Sequence, residues 1–433
     1  MKLFDLSLKI NGFSIEKAKT VLKAIQNEKD FSVSIETRKQ EIVSYHLKYN
    51  PFYKTFAKNV DTSDWNSIPV MTKRDLQQPL MNRFSKEFAK KDVYINKTSG
   101  SSGDPFIFAK DKFCHALTWA GFMDRYRWFG LDFNTSKQAR FYGIPLNKTG
   151  YYKERFKDFM SNRYRFSVFD LSDAQFGKNL RKFESTKFDY INGYTSSIVQ
   201  FAKFLQRKNI VLKHVCPTLK ACIVTSEMLF EDDKKLLETH LGIPIINEYG
   251  AAELGLIAFQ NKNNEWIVNN EDLFVEILDE NNQVLPYGQE GRVVITSLYN
   301  KAHPFIRYDL GDMGKLSKSS TPNKPILETL IGRTNDTVVL PSGKKAAGLT
   351  FYYVTKTVIE DGGNVKEFII EQLKIDTFKI SYTSMEALSE EKIKDINKAI
   401  ETYLEPGLNI LSERKESLER SNRGKLKQFK SYL

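Results

Sequence analysis

Cysteine is scarce in this chain. Three occur among 433 residues, at Cys114, Cys216 and Cys222. A small and odd number excludes the disulfide framework of a secreted module, and a chain without such a framework is typical of a reducing compartment. The sequence therefore predicts a cytoplasmic protein.

Long apolar runs are missing as well. Nowhere do about 18 apolar residues follow one another, which argues against a transmembrane helix. The first ten residues carry charges at Lys2, Asp5 and Lys9, so they lack the uninterrupted apolar core of a signal peptide. Internal repeats and long low-complexity segments are also absent. The composition, 41% hydrophobic with 31 Phe and 20 Tyr, is enough for a large core and a smaller second domain.

Two histidines lie near two of the cysteines, and we considered a zinc site there. The segment 214–222 has the spacing His-x-Cys-x5-Cys, with His240 further on. This spacing does not match the short intervals of known zinc ligands, and Cys222 lies in the apolar run Ala221–Val224, where a buried thiol is expected. The sequence disfavours zinc but leaves the question open.

Acidic residues are outnumbered, with 53 Asp and Glu against 65 Lys and Arg, a net charge of +12 and a pI near 9.2. A basic balance suits nucleic acid, an anionic membrane surface, or an enzyme that gathers ATP and pyrophosphate. No RNA-binding signature and no basic low-complexity tail accompanies the charge. We therefore expect no nucleic-acid partner.

The most informative segment that is present reads K-T-S-G-S-S-G-D-P, residues 97–105. Two short apolar stretches, Val93–Ile95 and Phe106–Ala109, flank it and predict a strand on each side. Glycines let the backbone turn its N–H groups inward and the hydroxyls add rotatable donors, which is how loops bind phosphate. The residues concerned are Thr98, Ser99, Gly100, Ser101, Ser102 and Gly103. The loop is not a Walker loop, because no Gly-Lys-Ser/Thr follows; a solvent-exposed Ser/Gly turn is the alternative.

Hydrophobic periodicity divides the chain into three parts. Up to Glu248, helical patterns alternate with short strands such as Ala221–Thr225, which predicts a parallel sheet flanked by helices. A polar helix is expected to begin at Met71. From Glu265 the strands follow closely, for example Leu273–Leu278, and predict an antiparallel or barrel-like subdomain. After Gly332 the pattern starts afresh as a small α+β domain.

Four further segments follow the loop in a fixed order: N-E-Y-G-A-A-E-L-G at 247–255, P-F-I-R-Y-D-L-G-D at 304–312, G-R-T-N-D at 332–336 and R-G-K-L-K at 423–427. Together with the loop they resemble the adenylate-forming ligases, and within them the phenylacetate–CoA ligase-like branch that includes the capsular-polysaccharide CapK-type proteins. The resemblance spans roughly the whole chain beyond the first helices. Each segment alone is a weak signal, but five in the family's order make a strong one.

The resemblance implies an α/β fold with a large N-terminal domain, residues 1–334, and a small mobile α+β lid domain, residues 335–433. The N-terminal domain would hold helix-flanked sheets and a β-rich subdomain, and the hinge would lie near Asn335. The implied reaction has two steps. A carboxylate attacks the α-phosphorus of ATP with loss of pyrophosphate, and a thiol or amine then takes the acyl group from acyl-AMP. The lid would rotate between the steps.

The resemblance also implies roles for individual residues of the N-terminal domain. The loop from Thr98 to Gly103 would fold over the β- and γ-phosphates. Tyr249 would lie beside adenine, Gly250 and Ala251 would bring backbone close to the nucleotide, and Glu253 would act catalytically by binding Mg²⁺. Ser226 and Glu227 match the family's adenine-side Gly-Glu element, with serine in place of glycine.

The remaining implied residues lie further along the chain. Asp312 would accept hydrogen bonds from the ribose hydroxyls, and Arg333 would approach ribose or phosphate at the domain junction. Lys425 matches the catalytic lysine that bridges the carboxylate and the α-phosphate, with Lys427 as its rival. Arg307 and Asp309 are expected to form a structural ion pair.

The acid and the acceptor are not specified by any motif. Coenzyme A is the acceptor expected for phenylacetate–CoA ligase relatives, and an amine of a sugar is the alternative for CapK-type relatives. Aromatic residues could line a pocket for an aryl acid: Phe141, Tyr142, Tyr151, Tyr152, Tyr190 and Tyr194. A nucleotide-binding basic scaffold without catalysis is the alternative of a different class, although Glu253, Asp312 and Lys425 are all present. A homodimer is left open.

Overall fold

The computed structural model describes residues 3–98, 106–143, 148–333, 337–343, 345–347, 365–420 and 426–433. It divides into two compact units. The first comprises Met1–Leu310 and Lys315–Glu328, and the second comprises Gly311–Gly314 and Thr329–Leu433. Each unit is described separately below, and the sequence-based domain boundary at 334/335 stays a prediction.

The first unit opens with four helices: α1 (Leu3–Ile10), α2 (Ile15–Gln26), α3 (Phe31–Tyr49) and α4 (Pro51–Phe56). Side-chain caps start α3 and α4, since Asp30 accepts the N–H of Val33 and Asn50 accepts the N–H of Tyr53. Three short 3-10 turns follow at Trp65–Ser67, Leu80–Arg83 and Lys90–Asp92.

The helix predicted to begin at Met71 is not formed, so that prediction is wrong. Met71 bridges to Tyr308 instead. The Asp75 carboxylate accepts from the backbone N–H and the hydroxyl of Thr72, at 2.8 and 2.6 Å. The Asp75 N–H also donates to the Thr72 hydroxyl oxygen at 3.3 Å, which completes a capping box and favours a helix start. The chain nevertheless forms a single turn, because Pro79 follows and proline disfavours the helical conformation at the residue before it.

A hairpin surrounds the Ser/Gly loop, as the sequence predicts. Strand β1 (Val93–Lys97) pairs antiparallel with β2 (Ile107–Asp111), and Lys97 faces Ile107 across the pair. Helix α5 (Lys112–Arg127) begins at once because Asp111 caps it by accepting the N–H of Cys114. Residues 99–105 lie outside the described part of the chain.

The central sheet has seven strands in the order β4-β3-β5-β6-β7-β8-β9. Its strands are β3 (Gln138–Phe141), β4 (Arg163–Phe166), β5 (Tyr190–Tyr194), β6 (Ala221–Thr225), β7 (Ile245–Ala251), β8 (Gly255–Gln260) and β9 (Trp266–Val268). The five strands from β4 to β7 pair in parallel, which confirms the predicted parallel sheet. The last two pair antiparallel, an extension that the sequence does not predict.

Helices cover both faces of this sheet. Besides α5 they are α6 (Lys148–Met160), α7 (Asp173–Glu184), α8 (Thr195–Arg207), α9 (Leu212–Val215) and α10 (Glu231–Leu241). Strand alternation separates two apolar layers. Ile191, Cys222 and Val224 lie in one, and Ile223 and Ile246 lie in the other. Burial raises the pKa of the Cys222 thiol, so Cys222 is a core side chain.

A second sheet confirms the β-rich subdomain. Its order is β10-β11-β12-β13, with β10 (Leu273–Leu278), β11 (Glu290–Ser297), β12 (Tyr308–Leu316) and β13 (Leu327–Arg333). Strands β10 and β11 pair antiparallel, Leu273 opposite Ser297. The described helices include none that is long and apolar enough to cross a membrane.

The second unit is a small α+β structure, as predicted. Its elements are β14 (Thr337–Val339), β15 (Lys345–Ala347), β16 (Val365–Lys374), β17 (Thr377–Ser384), α11 (Glu390–Tyr403), β18 (Asn409–Arg414) and β19 (Phe429–Ser431). Four strands form a sheet of order β18-β17-β16-β19. Ser389 caps α11 by accepting the N–H of Lys392, and the helix buries Ile396 and Ile400.

Candidate active site

The predicted adenine-side residues lie where neighbouring parallel strands end. Thr225 closes β6 and faces Glu248 of β7. Ser226 and Glu227 follow the first strand, and Tyr249 follows Glu248 on the second. The carboxyl edge of a parallel sheet is where ligands bind in open α/β folds, so these residues occupy the edge expected for a site.

One residue of the predicted site, Ser226, has an unusual backbone conformation. Among the described residues other than glycine, seven have a positive φ, and five of these are asparagines, which tolerate it. The two others are Ser226, with φ of 72°, and Arg307, with φ of 45°. The sequence resemblance matches Ser226 to a glycine, and the Ser226 backbone has the left-handed conformation that favours glycine. Strain of this kind is concentrated at functional sites.

Replacing Ser226 by glycine should therefore stabilise the fold. The left-handed conformation costs an L-residue about 1–2 kcal/mol, and glycine returns about 0.5–1 kcal/mol through its greater freedom in the unfolded chain. We expect Ser226→Gly to raise the free energy of unfolding by about 0.5–1 kcal/mol, measured by urea titration. Ser226→Ala, which keeps the strain and removes only the hydroxyl, is the control and should give no gain.

Glu227 has a structural partner at the same edge. Its carboxylate accepts the backbone N–H of Ser196 at 2.7 Å, and its carbonyl accepts the hydroxyl of Thr195 at 3.2 Å. Both partners lie in the first turn of α8, where a negative charge is favoured by the helix dipole. Glu227 thus hydrogen-bonds the segment after β6 to the first turn of α8. Its adenine-side role stays a prediction.

Tyr249 and Gly250 end β7 against its antiparallel neighbour. Tyr249 is 8% exposed, and its ring meets that of Trp266 edge to face at 6.0 Å. A Cβ on Gly250 would lie 2.7 Å from the carbonyl oxygen of Gly255, closer than real contacts allow. A Cβ on Gly255, whose φ is 94°, would lie 2.4 Å from Thr118 Cγ2. The hairpin itself therefore requires both glycines, whatever a nucleotide requires.

Glu253 lies in the turn of that hairpin and links three of the five segments. It is 7% exposed, and the Tyr308 hydroxyl donates to its Oε1 at 3.2 Å. The Tyr308 ring stacks on Phe106, with centroids 6.5 Å apart. Phe106 in turn closes the foot of the Ser/Gly loop, since its N–H donates to the Thr98 hydroxyl oxygen at 3.2 Å and its carbonyl accepts the Thr98 N–H at 2.9 Å.

Arg83 supports the same loop foot, and sequence reasoning missed it. It is 2% exposed; its Nη2 donates to the carbonyl of Ile107 at 2.8 Å, and its Nη1 lies 2.6 Å from Nε2 of His303. The guanidinium also lies over the Phe106 ring, 5.3 Å from its centroid. Burial lowers the pKa of Arg83 to about 10. A cation is thus buried directly behind the hairpin that carries the loop.

Lys110 and Asp272 are two further buried charges near Glu253 that were missed. Lys110 is 3% exposed and its Nζ donates to Thr118 Oγ1 at 3.2 Å; burial lowers its pKa, against the attraction of Asp272 and Glu253. The burial of Lys110 could have been inferred from the sequence, because strand alternation puts Lys110 on the same face as the apolar Phe108. Burial raises the pKa of Asp272 from 3.8 to about 7.

The raised pKa of Asp272 predicts a pH dependence of stability. Between about pH 4 and 7 the folded chain keeps a proton that the unfolded chain has released, so stability is lost as pH rises through this window. From pH 5 to pH 7 we expect the wild-type free energy of unfolding to fall about 1–3 kcal/mol more than that of Asp272→Asn, in urea titrations. Asp173→Asn, whose carboxylate is 56% exposed, should track the wild type.

The aromatic residues proposed to line an acid pocket are scattered. Phe141 and Tyr190 pack in opposite core layers, and Tyr151 and Tyr152 are exposed on α6. Only Tyr142 and Tyr194 lie together at the carboxyl edge, with centroids 4.5 Å apart. 

Polar groups accompany these two rings. The Arg140 guanidinium lies 4.0 Å from the Tyr142 centroid. Glu248 is buried and accepts the Tyr126 hydroxyl at 2.9 Å, and burial raises its pKa. The carboxyl edge is therefore more polar than an aryl pocket would be.

The ion pair predicted between Arg307 and Asp309 does not form, so that prediction is wrong. Arg307 is fully buried and pairs with Glu276, Nε to Oε1 at 2.7 Å, while Asp309 pairs with Arg292 at 2.7 Å. The other Arg307 nitrogens donate to the carbonyls of Trp65, Asn66, Ile68 and Asn282. Both residues are structural, but their partners are distant in sequence.

Two further predicted residues, Asp312 and Arg333, belong to the second unit. Asp312 lies on β12 among Gly311–Gly314 and is 8% exposed, and Arg333 ends β13. Lys425, Asn335 and residues Ser99, Gly100, Ser101, Ser102 and Gly103 fall outside the described parts. Within those parts, no group of three or more His, Cys, Asp or Glu side chains is arranged to hold a metal ion.

Known proteins resemble this chain in part of its sequence and in its fold. No family model matches the chain. Phenylacetate–coenzyme A ligase of Pseudomonas putida is 24% identical over 186 residues, 42% of each chain, and that of Aromatoleum evansii is 25% identical over 179 residues, 40% of each. The match thus spans about two fifths of the length of these curated relatives.

The fold is matched more broadly. The crystal structure of a 2-hydroxyisobutyryl-CoA ligase, in the postadenylation state with an acyl-AMP, superposes with a TM-score of 0.69 at 16% identity. The superposition covers 92% of this chain and 89% of that one. The chain is thus similar in sequence to phenylacetate–coenzyme A ligases over about two fifths of its length, and it shares the fold of the 2-hydroxyisobutyryl-CoA ligase.

Proposed function

We propose that this protein is an ATP-dependent ligase that converts a carboxylic acid to its acyl-adenylate, releases pyrophosphate, and transfers the acyl group to coenzyme A. The observation that carries the proposal is the contact series from the loop foot through Phe106 and Tyr308 to Glu253. It joins a hydroxyl-rich loop to a buried carboxylate beside the carboxyl edge of a parallel sheet. The relatives that the chain resembles are named as ligases of this kind.

Adenylation requires that the leaving phosphates be held and the adenosine be fixed in line with the acid. In our proposal the loop from Thr98 to Gly103 holds the β- and γ-phosphates. Ser226, Glu227 and Tyr249 border the adenine, with the backbone of Gly250 and Ala251. Asp312 would accept from the ribose hydroxyls, and Arg333 would approach ribose or phosphate.

Glu253 is the residue proposed to hold Mg²⁺. A hard cation prefers oxygen ligands, and this carboxylate is buried, with one oxygen fixed by the Tyr308 hydroxyl. A single carboxylate fits an ion that takes its other oxygens from phosphates and water. When bound, Mg²⁺ would offset charge on the phosphates. Tyr308 orients the carboxylate for that task.

Lys425 is proposed to neutralise charge at the α-phosphoryl group.

The chain is proposed to consist of an N-terminal domain, residues 1–334, and a lid domain, residues 335–433. The lid would rotate about a hinge near Asn335. One site must exclude water around acyl-AMP and later admit an acceptor, so a moving lid serves both steps. A cytoplasmic location would supply ATP and coenzyme A.

The test is carboxylate-dependent exchange of labelled pyrophosphate into ATP, with Mg²⁺, across a panel of acids. Acids that support exchange are then offered with coenzyme A or with amines. Thioester formation supports the proposal. Amide formation on an amino sugar would instead support a CapK-type role in polysaccharide biosynthesis, which stays the alternative. Release of ADP and orthophosphate, or no use of ATP with any acid, would contradict adenylation and favour a nucleotide-binding scaffold.

A further inference from the structure

Arg140 lies on β3 near the carboxyl edge of the central sheet, and its charge is unpaired. Within the part of the chain that the structure describes, no carboxylate forms an ion pair with it, and its buried Nε has no hydrogen-bond partner. Its cross-strand neighbours are Arg165 on β4 and Asn192 on β5. The first carries the same charge, and the amide oxygen of the second already accepts a hydrogen bond from Gln138 at 3.3 Å.

The carboxylates of this part of the sheet are engaged with other groups. Asp158 and Glu154 of α6 both pair with Arg165, at 2.9 and 2.8 Å. Glu248 on β7 accepts a tyrosine hydroxyl at 2.9 Å. Burial raises the pKa of Glu248, and the attraction of Arg140 opposes this rise without cancelling it. A half-buried cation that lacks a full counter-charge is costly, so Arg140 is suited to an anion that arrives with a ligand.

The orientation of Arg140 is set by an aromatic ring. Tyr142 stands two residues further along, on the same side of the chain, and the guanidinium lies over its ring, 4.0 Å from the centroid. The Tyr142 ring in turn lies 4.5 Å from that of Tyr194. A guanidinium over a ring keeps its N–H donors in its own plane, where they match the two oxygens of a carboxylate.

Electrostatic coupling places this pair beside the candidate active site. Burial raises the pKa of the Tyr142 hydroxyl; the charge of Arg140 opposes that rise, and the charges of Glu248 and Glu227 add to it. Glu227 follows β6 and is one of the residues proposed to border adenine. Groups at the ends of β3, β6 and β7 therefore act on one hydroxyl, and an acid activated at this edge can extend toward Arg140.

We propose that Arg140 is a specificity-determining residue that binds a second carboxylate of the acid, so that the substrates of this protein are dicarboxylic acids. One carboxylate attacks the α-phosphorus while Arg140 holds the other, and the rings of Tyr142 and Tyr194 border the carbon chain between them. An acid with an apolar far end would leave the guanidinium unpaired. This inference rests on the acyl-adenylate reaction proposed above and specifies the class of acid.

The test is pyrophosphate exchange with straight-chain dicarboxylic acids from succinate to suberate, each compared with its half-amide. The half-amide has the same shape and lacks one negative charge. Hexanoate and phenylacetate represent acids with an apolar far end. For the wild type we expect kcat/KM of the best dicarboxylic acid to exceed that of its half-amide by about 10²-fold, the scale of one desolvated charge pair.

Three variants test whether Arg140 causes this preference. Arg140→Met should remove most of it, because the variant has no cation to pair. Arg140→Lys, which keeps the charge without the planar pair of donors, should retain part of it. Arg127→Met, which removes an exposed arginine of α5, is the matched control and should keep the wild-type preference. A native circular dichroism spectrum identifies the variants that fold.

The outcomes separate this inference from the reaction on which it rests. Exchange with hexanoate, phenylacetate or the half-amides, without a preference for dicarboxylic acids, would overturn the inference and leave adenylation in place. A full dicarboxylate preference in folded Arg140→Met would also overturn it, because another group would then bind the second carboxylate. No exchange with any acid would contradict the reaction itself, and this inference with it.

Discussion

Replacing Lys425 by alanine is expected to slow acid-dependent pyrophosphate exchange by about 10²–10³-fold, the loss typical of one contact to charge that develops in a transition state. ATP affinity should remain nearly unchanged, because the proposed contact acts on the α-phosphoryl group as the acid attacks it. Exchange kinetics at saturating ATP and calorimetric titration with ATP measure the two effects separately.

Lys427→Ala is the matched control for this experiment, since it removes the same charge two residues further along. We expect it to keep exchange within a few-fold of the wild type. A wild-type rate from Lys425→Ala, with a loss in Lys427→Ala, would transfer the catalytic role to Lys427. If both variants retained full exchange, neither lysine would neutralise the charge in the transition state, and adenylation would need another cation.

Replacing Arg307 by leucine is expected to lower the free energy of unfolding by about 3–5 kcal/mol, the effect of removing one partner of a buried ion pair. Glu276 would be left buried and unpaired, and the carbonyls of Asn66, Ile68 and Asn282 would lose their donor. Urea titration followed by tryptophan fluorescence is the measurement. The indole of Trp65, which donates to the same glutamate at 2.6 Å, reports locally.

Two comparisons separate the ion pair from general damage. Adding Glu276→Leu to Arg307→Leu should recover part of the lost stability, because the uncompensated carboxylate is then gone. Arg207→Leu removes an arginine whose pair with Asp173 is exposed, with side chains 52% and 56% accessible, and should change stability by about 1 kcal/mol or less. An equal loss in both single variants would show that burial of Arg307 is not the cause.

The local pattern of apolar residues predicted strands correctly where an uninterrupted apolar run is buried in a sheet. The boundaries of β6 and β10 agree residue for residue with the apolar runs Ala221–Thr225 and Leu273–Leu278. Alternation and branched side chains determine such strands within a few residues. The polar helix expected at Met71 does not continue beyond one turn, although Thr72 and Asp75 form a capping box, because Pro79 follows shortly afterwards.

Long-range polar pairing could not be read from the sequence. Arg307 and Asp309 are close in the chain and opposite in charge, yet they do not pair with each other. Arg307 pairs with Glu276, and Asp309 pairs with Arg292. Only the folded sheet brings these groups together.

The two glycines around Glu253 have a consequence for ligand binding. Gly250 fits against the Gly255 backbone, and Gly255 against Thr118, so a side chain at either position would clash with its neighbour. The carboxylate is preorganised: its entropy is lost during folding, before any ligand arrives. A bulkier residue at either glycine would displace the turn that carries the Glu253 carboxylate, and would thereby weaken the Mg²⁺ binding proposed for that carboxylate.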